Sequence, residues 1–301
     1  MCLRKNRHFR VLKMIVKPKE KNACHDGDGS SVTEEYPVSY ACPCNPKALA
    51  GWAPQAATYR GPAFFYNEPV QGCCGDCYFV AALSSVAWAA PTQLSLTASP
   101  ITFRDPVTGH NSSVTLDAID LPVDAANTLI YARSSSGKTW PMLYEKAYAK
   151  WKNCRLTDGN PDHPDISQIT GGAGINGLIC VSGYAHLAQF LTGGSNILTA
   201  IPKNPTGKTK YPSVAWTHDL LSPPAGILND HTYSILGFYG NYVVLRNPVT
   251  ALAKPPGSLN SGVWNAAPGV SIDMATAADG IFALSAADFN KYFYGFGYVN
   301  P

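Results

Sequence analysis

The sequence predicts an α+β protein in which a helical part is followed by a mainly antiparallel β part. Three observations carry this. A nearly continuous apolar run at 79–90 has no polar face and reads as a buried helix. The segment WPMLYEKAYAKW (140–151) has helical spacing. Beyond about residue 190 the texture changes to short β-branched and aromatic runs, TYSILGFY (232–239) and NYVVLRN (241–247), around a Gly240-Asn241 turn.

Taken in order, residues 1–22 form a basic tail with eight Lys/Arg and one Glu, leaving 15 basic and 19 acidic residues elsewhere, so the body is mildly acidic. A nucleic-acid arm, an organelle address and a solvated extension all have this charge, and a solvated extension is the default reading. The tail has neither the Ser-rich pattern of a transit peptide nor the apolar core of a signal peptide, and no stretch is long and apolar enough to span a membrane. Residues 23–60, rich in Gly, Pro, Ser and acids, read as a linker or extension. The body is expected as a helical lobe at 61–195 and a β lobe at 196–301. Ser84 and Ser85 are the only interruptions of the first helix, which Pro91 ends. In the second, Trp140, Leu143, Tyr144, Ala147 and Tyr148 share a face, and Pro141 suits the first turn. The long segment 249–269 is a Pro/Gly-rich excursion.

At 301 residues the chain can bury a core without disulfides. Its nine cysteines are odd in number and irregularly spaced, which favours a reducing, cytoplasmic compartment. The low charged fraction of 14% and the sequon Asn111-Ser112-Ser113 suit the alternative, a secreted protein.

Three cysteines stand in QGCCGDC, directly before the first helix. Cys74-Gly-Asp-Cys77 is formally a redox C-x-x-C, but the preceding YNEPVQG is turn-like where a redox motif needs a strand. A zinc site would need Cys42 and Cys44, at irregular spacing. Buried cysteines as small hydrophobes account for Cys73 and Cys74. Cys77 differs because it directly precedes the helix, where the helix dipole and the N–H groups of the first turn favour a thiolate. Gln71, six residues upstream, is an amide donor that a turn can bring beside the Cys77 N–H to hold an oxyanion.

A nucleophilic cysteine needs an imidazole and a group that orients it. His8 and His25 lie in the tail and linker, His110 and His163 in polar turns, and His186 on the helix-like stretch YAHLAQFL as a core histidine. His231 opens the first strand of the expected hairpin and Asn247 closes the second, so the two face each other to within about three residues. His218 is a weaker competitor.

The blocks QGCCGDCYFVAAL, WPMLYEKAYAKW followed by ITGG, NDHTYSILGFY, VVLRNP and DGIFALSAADFNKYF resemble, in order over roughly 60–296, the protease core of the calpain family of cysteine peptidases. The resemblance implies a papain-like fold with the active site between a helical and a β lobe, and peptide hydrolysis of protein or peptide substrates. It implies a nucleophile at Cys77, an acid and base at His231, an orienting amide at Asn247 and an oxyanion donor at Gln71. The papain-like enzymes proper are the near alternative; Asp76 and the Arg-Asn-Pro run favour calpain. Two positions depart from the calpain pattern. Val249 stands where a tryptophan normally shields the Asn–His hydrogen bond, and Tyr78 replaces the tryptophan after the nucleophile.

The resemblance also implies a calcium ion held by Glu68 and Glu145, for which the alternative is two ordinary surface acids. A second family calcium site is expected to be lost or altered, since 249–269 has no acidic residue. No EF-hand pattern occurs. Two other functions fit the same residues: a ligase or transamidase that passes the acyl group to an amine or hydroxyl, and a binding module with the triad misaligned.

Overall fold

The computed structural model describes residues 48–54, 58–217 and 219–301. The basic tail, most of the 23–60 segment, Cys42, Cys44, His8, His25 and His218 lie outside the described residues. Helices and antiparallel sheets are mixed, as α+β predicts. No described helix is long and apolar enough to cross a membrane.

Chain order begins with β1 (Gly51–Ala53) and β2 (Pro69–Val70), so β1 lies ahead of Gly61. Helix α1 (Cys77–Ala89) follows, buried from Cys77 to Trp88. Its Ala, Val, Leu and Ser residues are apolar or small all round, and no face is left for solvent. Strands β3 (Ile101–Arg104) and β4 (Asn111–Val114) form a hairpin. Strand β5 (Leu121–Val123) pairs with β1, and β6 (Arg133–Ser134) with β2.

Helix α2 (Trp140–Trp151) has the predicted bounds, with Pro141 in its first turn, but it is buried more widely than its spacing implies. Glu145 and Lys146, on its polar side, are 1% and 0% exposed. The loop before β5 and the β1 segment cover that side. Lys146 Nζ donates to Ala118 O, Asp120 O and Asp120 Oδ1, and lies 4.9 Å above the Trp52 ring. Trp52 stacks on His163 at 4.3 Å, and His163 bridges Asp158 and Asp120 through its two ring nitrogens.

Helix α3 (Gly174–Ser182) packs closely on α1: a Cβ at Gly177 would stand 2.5 Å from the Tyr78 carbonyl oxygen, so only glycine admits this approach. Gly183, in a left-handed conformation, ends α3. The stretch expected as helix around His186 is instead β7 (His186–Leu191), and His186 is exposed. With the helix already stopped, the chain pairs along the last strand, and its apolar residues, which read as helical spacing, belong to a sheet edge.

Helix α4 (Ile197–Ala200) leads to β8 (Ser213–Thr217), β9 (Thr232–Tyr239) and β10 (Tyr242–Arg246). The expected hairpin is β9–β10, turning at Gly240 (φ 59°), with a bulge between Val244 and Leu245. The Pro/Gly-rich excursion ends in a second hairpin, β11 (Val263–Ala267) within it and β12 (Val270–Asp273) just beyond it, which the sequence reading missed. Strand β13 (Ile281–Ser285), helix α5 (Ala286–Tyr292), capped by Ser285, and β14 (Phe293–Asn300) complete the chain. One six-stranded antiparallel sheet runs in the order β13-β10-β9-β8-β14-β7.

Helix α1 lies against this sheet and is fastened to it by side chains. Ser85 Oγ bonds both the N–H and the carbonyl of Ser213, Ala81 O accepts from Ser234 Oγ at 2.8 Å, and Trp88 Nε1 donates to Leu236 O at 2.6 Å. The buried clusters interlock accordingly: Trp88 packs with Leu236 and Val244 of the sheet and with Trp264 of β11, while Val214 and Val299 join the cluster around α1 and α2. The start of α1 is thus set against the entry to β9.

Candidate active site

The site is built where loop meets regular structure. Cys77 is the first residue of α1, with Asp76 before it at the cap position. The Asp76 carboxyl does not cap the helix; the backbone carbonyl of Asp76 accepts from Phe79 N and Val80 N. Cys77 is 2% exposed. None of the described cysteines, Cys73, Cys74, Cys77, Cys154 and Cys180, forms a disulfide, so Cys74 and Cys77 are not a bonded pair here.

The turn before α1 is held from several sides. Gly72 lies against the chain at Tyr131 so tightly that a Cβ would stand 2.0 Å from Tyr131 O. Cys73 N donates to Ile130 O, and Gln71 N donates to Pro248 O at 3.0 Å, joining this turn to the chain just beyond β10. Gln71 Nε2 donates one hydrogen to Cys74 O at 2.7 Å, leaving the second amide hydrogen for another acceptor.

His231, immediately before β9, and Asn247, immediately after β10, are brought together by that hairpin. His231 Nε2 lies 2.9 Å from Asn247 Oδ1. The same Oδ1 accepts from Val249 N at 2.9 Å, which fixes the amide with its oxygen toward the ring. His231 therefore donates from Nε2, and in the neutral ring the basic nitrogen is Nδ1. Burial pushes the His231 imidazolium down to about 4, partly offset by the Asn247 hydrogen bond, so at neutral pH the ring is uncharged. Its edge packs on Tyr233 with centroids 5.0 Å apart. Tyr233 is held above its ordinary pKa chiefly by burial, while its hydroxyl accepts from Leu228 N.

Val249 does not leave the Asn–His bond open. His231 is 1% and Asn247 2% exposed, and Val249 itself is buried, so the hydrogen bond is shielded without a tryptophan. Tyr78 is also buried; its hydroxyl donates to Ile169 O and its ring covers Gly172.

Glu68 and Glu145, expected as calcium ligands, are not surface acids: they are 2% and 1% exposed. They serve different partners. Glu68 accepts from Trp140 Nε1, Phe65 N and Ser136 Oγ, whereas Glu145 accepts from Ala132 N at 2.9 Å and lies against the Asp76 carboxyl. Among the described residues no group of three or more His, Cys, Asp or Glu converges as metal ligands. Binding a hard cation, which asks for six to eight oxygens, would require either carboxylate to turn from these partners.

Two residues escaped the sequence reading: Asp76 as the partner of Glu145, and Arg246, fully buried between β10 and the turn. The available signal was slight, namely a charged residue inside each apolar block.

A cysteine at a helix start, an imidazole held by an amide and a second amide in the turn are the groups a cysteine peptidase needs. The family follows from comparison. The model of the calpain family cysteine protease matches residues 52–299, and the chain belongs to that family. It is also similar to a thiol protease of Porphyromonas gingivalis (strain ATCC BAA-308 / W83), 27% identical over 282 residues, covering 80% of this chain. The chain spans 56% of that relative's length.

Proposed function

We propose that the chain is a cysteine endopeptidase with a papain-like arrangement, its active site lying between a helical lobe and a β lobe, acting on protein or peptide substrates. The observation that carries this is the buried His231–Asn247 hydrogen bond, formed at the paired ends of β9 and β10, with β9 bonded to the nucleophile helix through Ser234 and Ala81.

Neutral His231 takes the thiol proton on Nδ1, and the Cys77 sulfur attacks the peptide carbonyl carbon. Gln71 Nε2 and the Cys77 N–H receive the charge that develops on oxygen. Collapse of the tetrahedral adduct breaks the C–N bond, with the imidazolium passing its proton to the leaving amine. Water then gives a proton to His231 and attacks the thioester; the second adduct releases the acid and the Cys77 sulfur. Asn247 holds the ring so that Nδ1, not Nε2, meets the reacting groups. Membership of the calpain family and similarity to a thiol protease support the reading.

The test is hydrolysis of an unstructured protein by wild type and Cys77→Ala, each with millimolar calcium, with chelator and with an added primary amine. The expected result is cleavage that Cys77→Ala abolishes. Products capped by the amine in preference to water would identify a transamidase, and an inert wild type whose Cys77 reacts with an electrophile no faster than free cysteine would leave a binding module. Calcium dependence is a separate proposal resting on family membership, and it requires Glu68 and Glu145 to leave their present partners. Cleavage unaffected by chelator would discard it.

A further inference from the structure

Arg246, the last residue of β10, carries a guanidinium with no solvent exposure. Its three hydrogen bonds go to neutral oxygens. Nη2 donates to Asn67 O at 2.9 Å and to Pro69 O at 2.7 Å, and Nη1 donates to Ser84 Oγ at 3.1 Å. Nε is buried without an acceptor. Desolvation pulls this guanidinium down to about 10 even with Asp279 and Tyr66 acting the other way. Burying a charge without a directly paired carboxylate is costly, and a core position is served as well by an apolar side chain, so packing alone does not account for an arginine here.

Its placement does. Asn67 and Pro69 lie in the segment that leads into Gln71, and Ser84 lies on the nucleophile helix. Arg246 itself is bonded in the chain to Asn247. A forked, planar guanidinium can hold two carbonyls and a hydroxyl at once from a single position, in a fixed geometry that a lysine ammonium does not impose. The same segment has a second tie to the sheet side, from Asn67 Nδ2 to Asp279 Oδ2 at 3.0 Å. Helix α1 receives one of these bonds, at Ser84, but it is fastened to β8 and β9 independently through Ser85, Ser234 and Trp88.

We propose that Arg246 is a positioning residue for the oxyanion donor: it holds segment 67–69, and through it Gln71, in register with the His231–Asn247 pair, while the alignment of Cys77 depends on other bonds. The inference rests on the catalytic reading of Cys77, His231, Asn247 and Gln71 given above.

The experiment compares wild type, Arg246→Lys, Gln71→Ala and the double variant, in a peptide amide hydrolysis assay and in alkylation of Cys77 by iodoacetamide, which needs an activated thiol and no oxyanion donor. Arg246→Lys keeps the charge and loses the fork. It is expected to lower kcat by roughly 10- to 100-fold, the scale of a small misplacement of a catalytic group, with less change in KM and with an alkylation rate close to wild type. Adding Arg246→Lys to Gln71→Ala is expected to cost little further, because both act through one donor. Losses that multiply in the double variant, or alkylation that falls as far as hydrolysis, would overturn the inference in favour of a general structural role. Arg246→Gln, which keeps a short amide donor and loses the fork, repeats the cycle if Arg246→Lys does not fold. Activity retained in Cys77→Ala is the distinct result that refutes the catalytic reading itself.

Discussion

Asp76 and Glu145 meet inside the protein carboxyl to carboxyl, one at the cap of the nucleophile helix and the other on α2, and both are removed from solvent. Beyond Glu145 and its own backbone, the Asp76 carboxyl has no hydrogen-bond partner among the described residues, and beyond Asp76 Glu145 takes only the Ala132 N–H. Such a pair is stable only while it retains a proton. The arrangement also bears on catalysis, since a protonated Asp76 spares the neighbouring Cys77 thiolate from a like charge.

The pair sets a pH dependence of stability. Burial first, offset by the Glu145 and backbone bonds, pushes the Asp76 carboxyl up to about 7, and burial and Asp76 push Glu145 up as well. Folded carboxyls with raised pKa values bind protons that the unfolded chain has released, so their stabilising contribution is present in acid and is lost as pH rises toward 7 and beyond. Glu145→Gln keeps an acceptor for Ala132 N and offers Asp76 a donor. In denaturant melts of a Cys77→Ala background it is expected to match the parent at pH 5 and exceed it by about 1–2 kcal/mol at pH 8, one pKa unit being about 1.4 kcal/mol. Equal stability at pH 8 would show that the pair is not under strain.

His231 acts in the opposite sense. The unfolded chain takes up a proton near 6.5 and the folded one not until about 4, so stability falls as pH drops through that window. Between pH 7 and 4.5, Cys77→Ala is expected to lose about 2 kcal/mol more than Cys77→Ala/His231→Gln. Parallel pH curves for the two would mean that the ring can be charged in place.

Close packing of the turn makes a third case. A methyl at Gly72 would overlap Tyr131 O, and backbone cannot yield as a flexible side chain can. Gly72→Ala is expected to destabilise by about 1–3 kcal/mol, the usual scale for overpacking, and to lower hydrolysis beyond that, since Gln71 is its neighbour. A thermal midpoint within a degree of wild type would refute the tight approach.

What the sequence made legible was local. Helix α2 has the bounds its spacing gives, α1 begins at the cysteine whose place made it a nucleophile candidate, and the Gly240 turn fixes the hairpin that joins His231 to Asn247. What it hid was tertiary. Glu145 and Lys146 look like a solvated face because the loops that cover them are distant in sequence. Leu187 and Leu191 share helical spacing yet lie on an edge strand chosen by β14. The β11–β12 hairpin was concealed by proline and glycine, although Val263–Ala267 alternates in burial and Pro-Gly marks its turn. Arg246 could be valued only once its three acceptors, far apart in the chain, were seen together.

The Asn247 amide has two tasks that substitutions can separate. Its Oδ1 holds both the His231 ring and the Val249 N–H, so Asn247→Ala frees the ring and also strands a buried donor. A loss of about 100-fold in kcat/KM is expected from the ring's lost orientation. Asn247→Asp keeps both acceptor duties and adds a negative charge at the imidazole, which favours its protonated form. That variant is expected to retain more activity than Asn247→Ala and to show the acid limb of its kcat/KM profile at higher pH than wild type, because the base stays protonated further toward neutrality. An unmoved acid limb in Asn247→Asp would place the controlling ionisation on a group other than His231.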